Sequence, residues 1–290
     1  MMKLVTQTDL VGERFGDMKG IEMLCKAGFD GIDYSMFAMQ DDDNVLNSSD
    51  WKSYVLALRD MVEGYGKTFE QSHAPFPSMR RDDEAYNKKL FPRIARAIEI
   101  TGILGGKVCV VHPSALGEGQ FEKNIEFYNK LAPVAKESGV KIALENMWGR
   151  DSETRRICPN ICSVAEDFNR YTDALDPEVF TACLDLGHCG LVGETAAEMI
   201  KDMGGERITA LHIHDNDNLS DKHTIPYLCA MNWADIFAAL GEINYSGNFT
   251  YEADNFLKGF PDELIPDCLD FMVRIGRFMM GEIEKNRVKA

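Results

Sequence analysis

Basic residues are scarce in this chain. Its 290 residues hold 31 Lys and Arg against 47 Asp and Glu, a formal charge of −16. A surface this acidic repels phosphate backbones, so a nucleic-acid partner is disfavoured. The two short basic runs, MRRDD and RRICPNI, read as solvated loop charges. Histidine is scarcer still, with six in the whole chain. No apolar run approaches the ~20 residues that a membrane-spanning helix needs, so no membrane partner is expected. The opening MMKLVTQTDL has no apolar stretch of the kind a secretory signal carries. The eight cysteines are scattered, several of them inside apolar runs where a thiol packs as a small hydrophobe. CPNIC lacks the spacing of a zinc knuckle. Free thiols in a reducing cytoplasm are the simplest expectation.

What is present is a rhythm. With 45% hydrophobic residues there is ample material for a core, and no linker or low-complexity stretch interrupts it, so residues 1–290 read as one domain. Apolar strand-like runs recur every ~30–40 residues with helical patterns between them, the spacing of βα units. The strands are expected at 3–7, 30–34, 68–73, 107–112, 140–145, 179–185, 208–214 and 247–252. Pro92 and Pro133 fall inside helical patterns and predict a break or kink at each. Eight strands alternating with helices point to an α/β fold, a single-domain (β/α)₈ TIM barrel.

Strand parity supports this reading. Alternate residues of a strand share a face. Cys183 and Asp185 share one, as do His212 and His214, and Thr250 and Glu252. Leu184, Leu211, Ile213, Phe249 and Tyr251 share the other. The polar row therefore faces inward and ends at the C-terminal rim, where barrels of this kind carry their sites. Its rim members are His73, His112, Glu145, Asp185, His214 and Glu252. His212 lies one inward row deeper, His188 just after the sixth strand, and Asp217, Asp221 and His223 after the seventh. Two Glu, one Asp and one His from four strands suit a divalent ion of intermediate hardness such as Mn, Co, Mg or Zn. Without an ion, crowded carboxylates would repel one another.

The ordered motifs GFDGID, HAPF, VVHP, ALENM, CLDLGH, HIHDND…DKH and YEAD span nearly the whole chain. With them it resembles the xylose-isomerase-like TIM barrel superfamily of sugar isomerases, ketose 3-epimerases, inosose dehydratase-type enzymes and apurinic-site endonucleases. The resemblance implies a metal site of Glu145, Asp185, His214 and Glu252. It makes Glu145 and Glu252 the acid/base pair, acting from opposite sides of the mouth, and His188 a substrate contact. Further ligands of the endonuclease branch match His73 and His112, and His188, Asp221 and His223. Trp148 is placed to pack on a substrate.

The implied activity is that of a divalent-metal-dependent sugar isomerase or epimerase. It would move a proton on a small open-chain sugar or polyol derivative through a metal-stabilised enediolate. A multinuclear zinc phosphodiesterase and a non-catalytic sugar-binding barrel are the alternatives. The epimerase branch often has an Arg after the seventh strand, whereas Lys222 is the only cation in NDNLSDKH. The sequence leaves room for a homo-oligomer.

Overall fold

The structure is a computed structural model that describes residues 2–288. Among the described residues there are ten strands: β1 (Leu4–Gln7), β2 (Gly31–Ser35), β3 (Thr68–His73), β4 (Val108–Val110), β5 (Lys141–Glu145), β6 (Trp148–Arg150), β7 (Ile157–Pro159), β8 (Phe180–Asp185), β9 (Ile208–His212) and β10 (Phe249–Tyr251). Eight form one sheet in the order β10-β1-β2-β3-β4-β5-β8-β9, and every pairing within it is parallel. Ile213 N donates to Thr250 O at 2.9 Å and Glu252 N to Ile213 O at 3.1 Å, which joins β9 to β10 and closes the barrel. The fold is the (β/α)₈ TIM barrel that the spacing predicts.

The two faces of the strands pack as parity requires. Leu184, Leu211, Ile213, Phe249 and Tyr251 lie in the large core between sheet and helices. Each such side chain, fully buried, stabilises the fold by about 1.5–3 kcal/mol. Val110, Ala143, Cys183 and Ala210 form a separate cluster inside the barrel. They are small because eight tilted strands leave room only for interlocking layers of side chains.

Three details differ from expectation. Pro92 and Pro133 stand inside unbroken helices, Glu84–Leu104 and Gln120–Ser138. The carbonyls that each proline leaves without a helical partner belong to Lys88 and Asn129, both on the exposed side of their helices, where solvent can take the place of the missing donor. The fourth, seventh and eighth strands are shorter than predicted, because His112, His214 and Glu252 follow the last paired residue and turn into the mouth. The antiparallel hairpin β6–β7 adds an arm beyond the end of β5. The eight cysteines are all free, and no helix among the described residues is long and apolar enough to cross a membrane.

Candidate metal centre

The inward rows end in a buried polar cluster. Glu145, Asp185, His212, His214 and Asp33 are each at most 1% exposed, and Glu252 is 7% exposed. Their ligand-capable atoms fall into three groups, each within a 4.8 Å span: His73, His112 and Glu145; Glu145, Asp185, His212 and Glu252; and His188, His214, Asp221 and His223. Glu145 belongs to two of them. Its Oε2 lies 2.9 Å from His112 Nε2 and 3.5 Å from His73 Nε2, while its Oε1 accepts from His212 Nδ1 at 3.1 Å.

His212, rather than the expected His214, completes the carboxylate group. Register explains this, since Asp185 pairs directly with His212 across β8 and β9. His214 lies past the end of the ladder. Its Nε2 reaches Asp185 at 3.0 Å and its ring stacks on that of His223 at 4.1 Å. Gly187 makes space for that ring, because a Cβ there would lie 2.0 Å from His214 Cε1. Glu145 and Glu252 stand three strands apart around the barrel rather than across it, and both approach His212 Nδ1 at 3.1 Å. Only the Glu145 contact is aligned for hydrogen bonding, so the buried Glu252 Oε2 has no donor.

Several histidines are set by the backbone. A carbonyl oxygen can only accept, so each of three histidines must donate from Nδ1. His73 donates to Ala74 O at 2.8 Å, His188 to Asn146 O at 2.7 Å and His223 to Glu252 O at 3.0 Å. In the neutral ring this leaves Nε2 as a lone pair, and each Nε2 lies 3.5 Å or less from a carboxylate oxygen. A histidine anchored at one nitrogen and free at the other is the usual arrangement of a metal ligand. His223 has a φ of 42°, a left-handed conformation that side chains other than glycine rarely adopt. Such strain gathers at functional sites. Asn146 ties two strand ends together: its Oδ1 accepts from Asp185 N at 2.7 Å and its Nδ2 donates to Asp185 O at 2.9 Å. Asp185 in turn caps the helix Leu186–Leu191 by accepting from His188 N, which fixes both residues.

The electrostatics call for a cation. None of Asp33, Glu145, Asp185, Asp221 or Glu252 has a Lys or Arg in ion-pair range among the described residues. Burial alone would raise Glu145, but the imidazoles of His212 and His112 hold it well below the usual carboxylate range. Burial likewise works against a proton on His188, yet Asp185 and Asp221 push it up to about 10. His223 is raised to about 9, against burial, by Glu252 and Asp221. Asp185, Asp221 and Glu252 therefore draw protons onto His188 and His223. A divalent ion would supply that charge directly and release those protons. Glu252 Oε2, Asp221 Oδ1, Asp33 Oδ1 and His214 Nδ1 are buried without partners, so the donor set fits such an ion.

Over the cluster opens a cavity of about 430 Å³. Its walls include Phe37, Phe76, Met147 and Trp148, with Asp9, Asp254 and Asn255 among the polar residues and no Lys or Arg among those described. Burial pushes Asp254 up to about 7. The side chain of Gln7 donates to Glu252 Oε1 and that of Gln71 to Asp33 Oδ2, both at 2.9 Å. Sequence reasoning did not select Asp33, Gln7, Gln71, Asn146 or Asp254. Extending the parity argument to the first three strands finds the first three of these.

A closed parallel barrel with carboxylates and imidazoles meeting at its C-terminal rim defines a TIM-barrel protein with a metal-type site. The chain belongs to the xylose isomerase-like TIM barrel family, whose model matches residues 21–274. An uncharacterized protein of Methanocaldococcus jannaschii is 27% identical over 217 residues, 70% of this chain and 69% of that one. A probable endonuclease 4 of Staphylococcus saprophyticus is 31% identical over 133 residues, so the chain spans 42% of that relative's length. The structure of D-psicose 3-epimerase with D-tagatose from Clostridium cellulolyticum H10 superposes with a TM-score of 0.76. It covers 96% of this chain and 99% of its own at 16% identity, a likeness of fold.

Proposed function

We propose that the protein is a divalent-metal-dependent sugar isomerase or epimerase acting on a small, uncharged polyhydroxylated carbonyl compound. One observation carries this reading: the buried Glu145, Asp185 and Glu252 and the half-buried Asp221 share a rim with imidazoles and, among the described residues, no Lys or Arg, beneath an acid-and-aromatic cavity of about 430 Å³. That volume is within the usual range for small-molecule sites. The acidic wall repels a phosphate group, and the aromatic wall offers apolar faces to a sugar ring or chain.

Glu145, Asp185, His212 and Glu252 would hold the principal ion, with His214 touching Asp185 from outside the group. Bound there, a divalent ion would act as a Lewis acid on a substrate carbonyl and acidify the neighbouring C–H. Glu252, which lines the cavity, would accept that proton. Glu145 lines the same cavity. A proton removed by one and returned by the other inverts a stereocentre. One carboxylate moving it between adjacent carbons converts aldose to ketose. His188 Nε2 and Trp148 would orient the substrate from the side of Asp221.

The test is solvent exchange. The protein, supplied with Mn²⁺ and a panel of ketoses and aldoses in deuterated water, should place deuterium beside the carbonyl of its substrate. Glu145→Gln and Glu252→Gln should each lower the exchange rate by about 100-fold or more. Full exchange in both variants would reject the assignment.

A second reading, multinuclear zinc phosphodiester hydrolysis, is favoured by the two further ligand groups at His73–His112–Glu145 and His188–Asp221–His223. It predicts about three ions per chain and cleavage of a duplex with an abasic site. The isomerase reading requires only the ion at the Glu145–Asp185–His212–Glu252 group and predicts no cleavage.

A further inference from the structure

Trp148 opens the hairpin just beyond β5. Its backbone is fixed by pairing with Pro159 and by a hydrogen bond of 3.3 Å from Asn160 Nδ2 to Trp148 O. The Arg150 guanidinium lies 5.0 Å from the centre of the indole, which also lines the cavity. An indole used only as a platform would need no protein partner for its N–H. Here Nε1 donates to Asp221 Oδ2 at 3.1 Å. The same oxygen lies 3.0 Å from His223 Nε2 and 3.5 Å from His188 Nε2.

Asp221 needs such a hold. It sits on a loop in which Asn218, His223 and Tyr227 have φ values of 59°, 42° and 75°, in the left-handed region. Among the described residues its carboxylate meets only side chains from Trp148, His188, His214 and His223. Its Oδ1 is buried without a hydrogen-bond partner. Trp148 is the one of these four that could not itself ligate an ion.

We propose that Trp148 is a positioning residue: its indole N–H holds Asp221 turned towards His188 and His223, so that hairpin β6–β7 sets the affinity of this group for a divalent ion. The inference rests on the metal-centre reading. A hydrogen bond to a ligating carboxylate fixes its orientation before the ion arrives, and loss of such an outer partner typically weakens metal binding 10–100-fold.

The test measures metal, not turnover. Full-length protein is dialysed against graded Zn²⁺ and the bound metal is counted. Four forms are compared: wild type, His188→Ala, Trp148→Phe, and protein carrying 3-benzothienylalanine at position 148. The last keeps the bicyclic ring and replaces the N–H by sulfur, so it removes the hydrogen bond without a cavity. Wild type should bind an ion that His188→Ala loses. Trp148→Phe and the sulfur analogue should bind that same ion about 10–100-fold more weakly, with the remaining uptake unchanged. The chain has three tryptophans, and the emission change that accompanies uptake of this ion should disappear in Trp148→Phe. Wild-type affinity in the sulfur analogue overturns the positioning role and leaves the metal centre standing. Absence of Zn²⁺ uptake by the wild type overturns both.

Discussion

The two ends of the barrel are both polar, but they neutralise their acids differently. At the N-terminal end several acids meet a basic side chain of the same protein. Glu70 pairs with Lys3 at 2.6 Å, Asp173 with Arg207 at 2.8 Å and Asp176 with Lys136 at 3.0 Å. Asp30 accepts from Arg277 Nη2 at 2.7 Å. At the C-terminal end the ion-pair partners of Glu145, Asp185, Asp221 and Glu252 among the described residues are all imidazoles. Lys and Arg carry fixed positive charge, whereas imidazole can give up its proton and offer a lone pair. One set of acids is therefore neutralised by fixed charge within the chain, and the other by groups that can trade a proton for an added cation.

The sharpest way to break this contrast is to remove an imidazole from the middle of the carboxylates. His212→Ala should weaken ion binding at the Glu145–Asp185–Glu252 group by more than about 100-fold, beyond the effect of losing an outer partner. His214→Ala should leave that ion in place, since His214 lies outside the group. Metal content after dialysis, measured for both variants, decides between the two histidines.

Removing the ion itself should have the next largest effect. At a free-ion concentration 100 times Kd, binding stabilises the fold by about 2.7 kcal/mol. For a chain of this size that corresponds to roughly 4–5 °C in Tm. Chelator should therefore lower the melting temperature by that amount, and Mn²⁺ or Zn²⁺ should restore it. A melting curve indifferent to both would count against an ion at the rim.

Gly187→Ala probes the same end more gently. The new methyl would overlap the His214 ring, which must shift against His223. Overpacking of this kind costs about 1–3 kcal/mol. Urea denaturation should show that loss. Gly204→Ala, at a position with no atom within 4 Å of the added Cβ but a φ of 76°, separates backbone strain from collision.

Much of this end was legible in the sequence because strand alternation is a local property. Once Leu184 and Tyr251 face the helices, Asp185 and Glu252 must face the axis. The choice between His212 and His214 was not legible, because both share the inward row. It depends on where the β9 ladder stops and on the register that sets Asp185 against His212. That register is fixed by packing between distant segments. Hairpin β6–β7 was also missed. Its two strands have three residues each, too few to show alternation, and one ends in Pro159. The bond from Trp148 to Asp221 spans 73 positions, and no local pattern records it.

The smallest expected effect lies at the opposite end. Burial would raise the Asp30 carboxyl, but Arg277 and the Leu4 N–H together lower it below its ordinary value of 3.8. A lowered carboxylate stabilises the fold above the unfolded-state value, and that contribution fades as pH falls through the folded-state value. The pair is substantially exposed, so Asp30→Asn should cost about 1 kcal/mol or less at pH 7. The difference from wild type should be steady from pH 8 to pH 5 and shrink below about pH 4. It should also be the same with and without metal, because this acid already has its cation. Urea titrations of both proteins at pH 7 and pH 3.5, with and without chelator, measure it. A dependence on chelator would show that the two ends of the barrel are coupled, and the division between them would have to be redrawn.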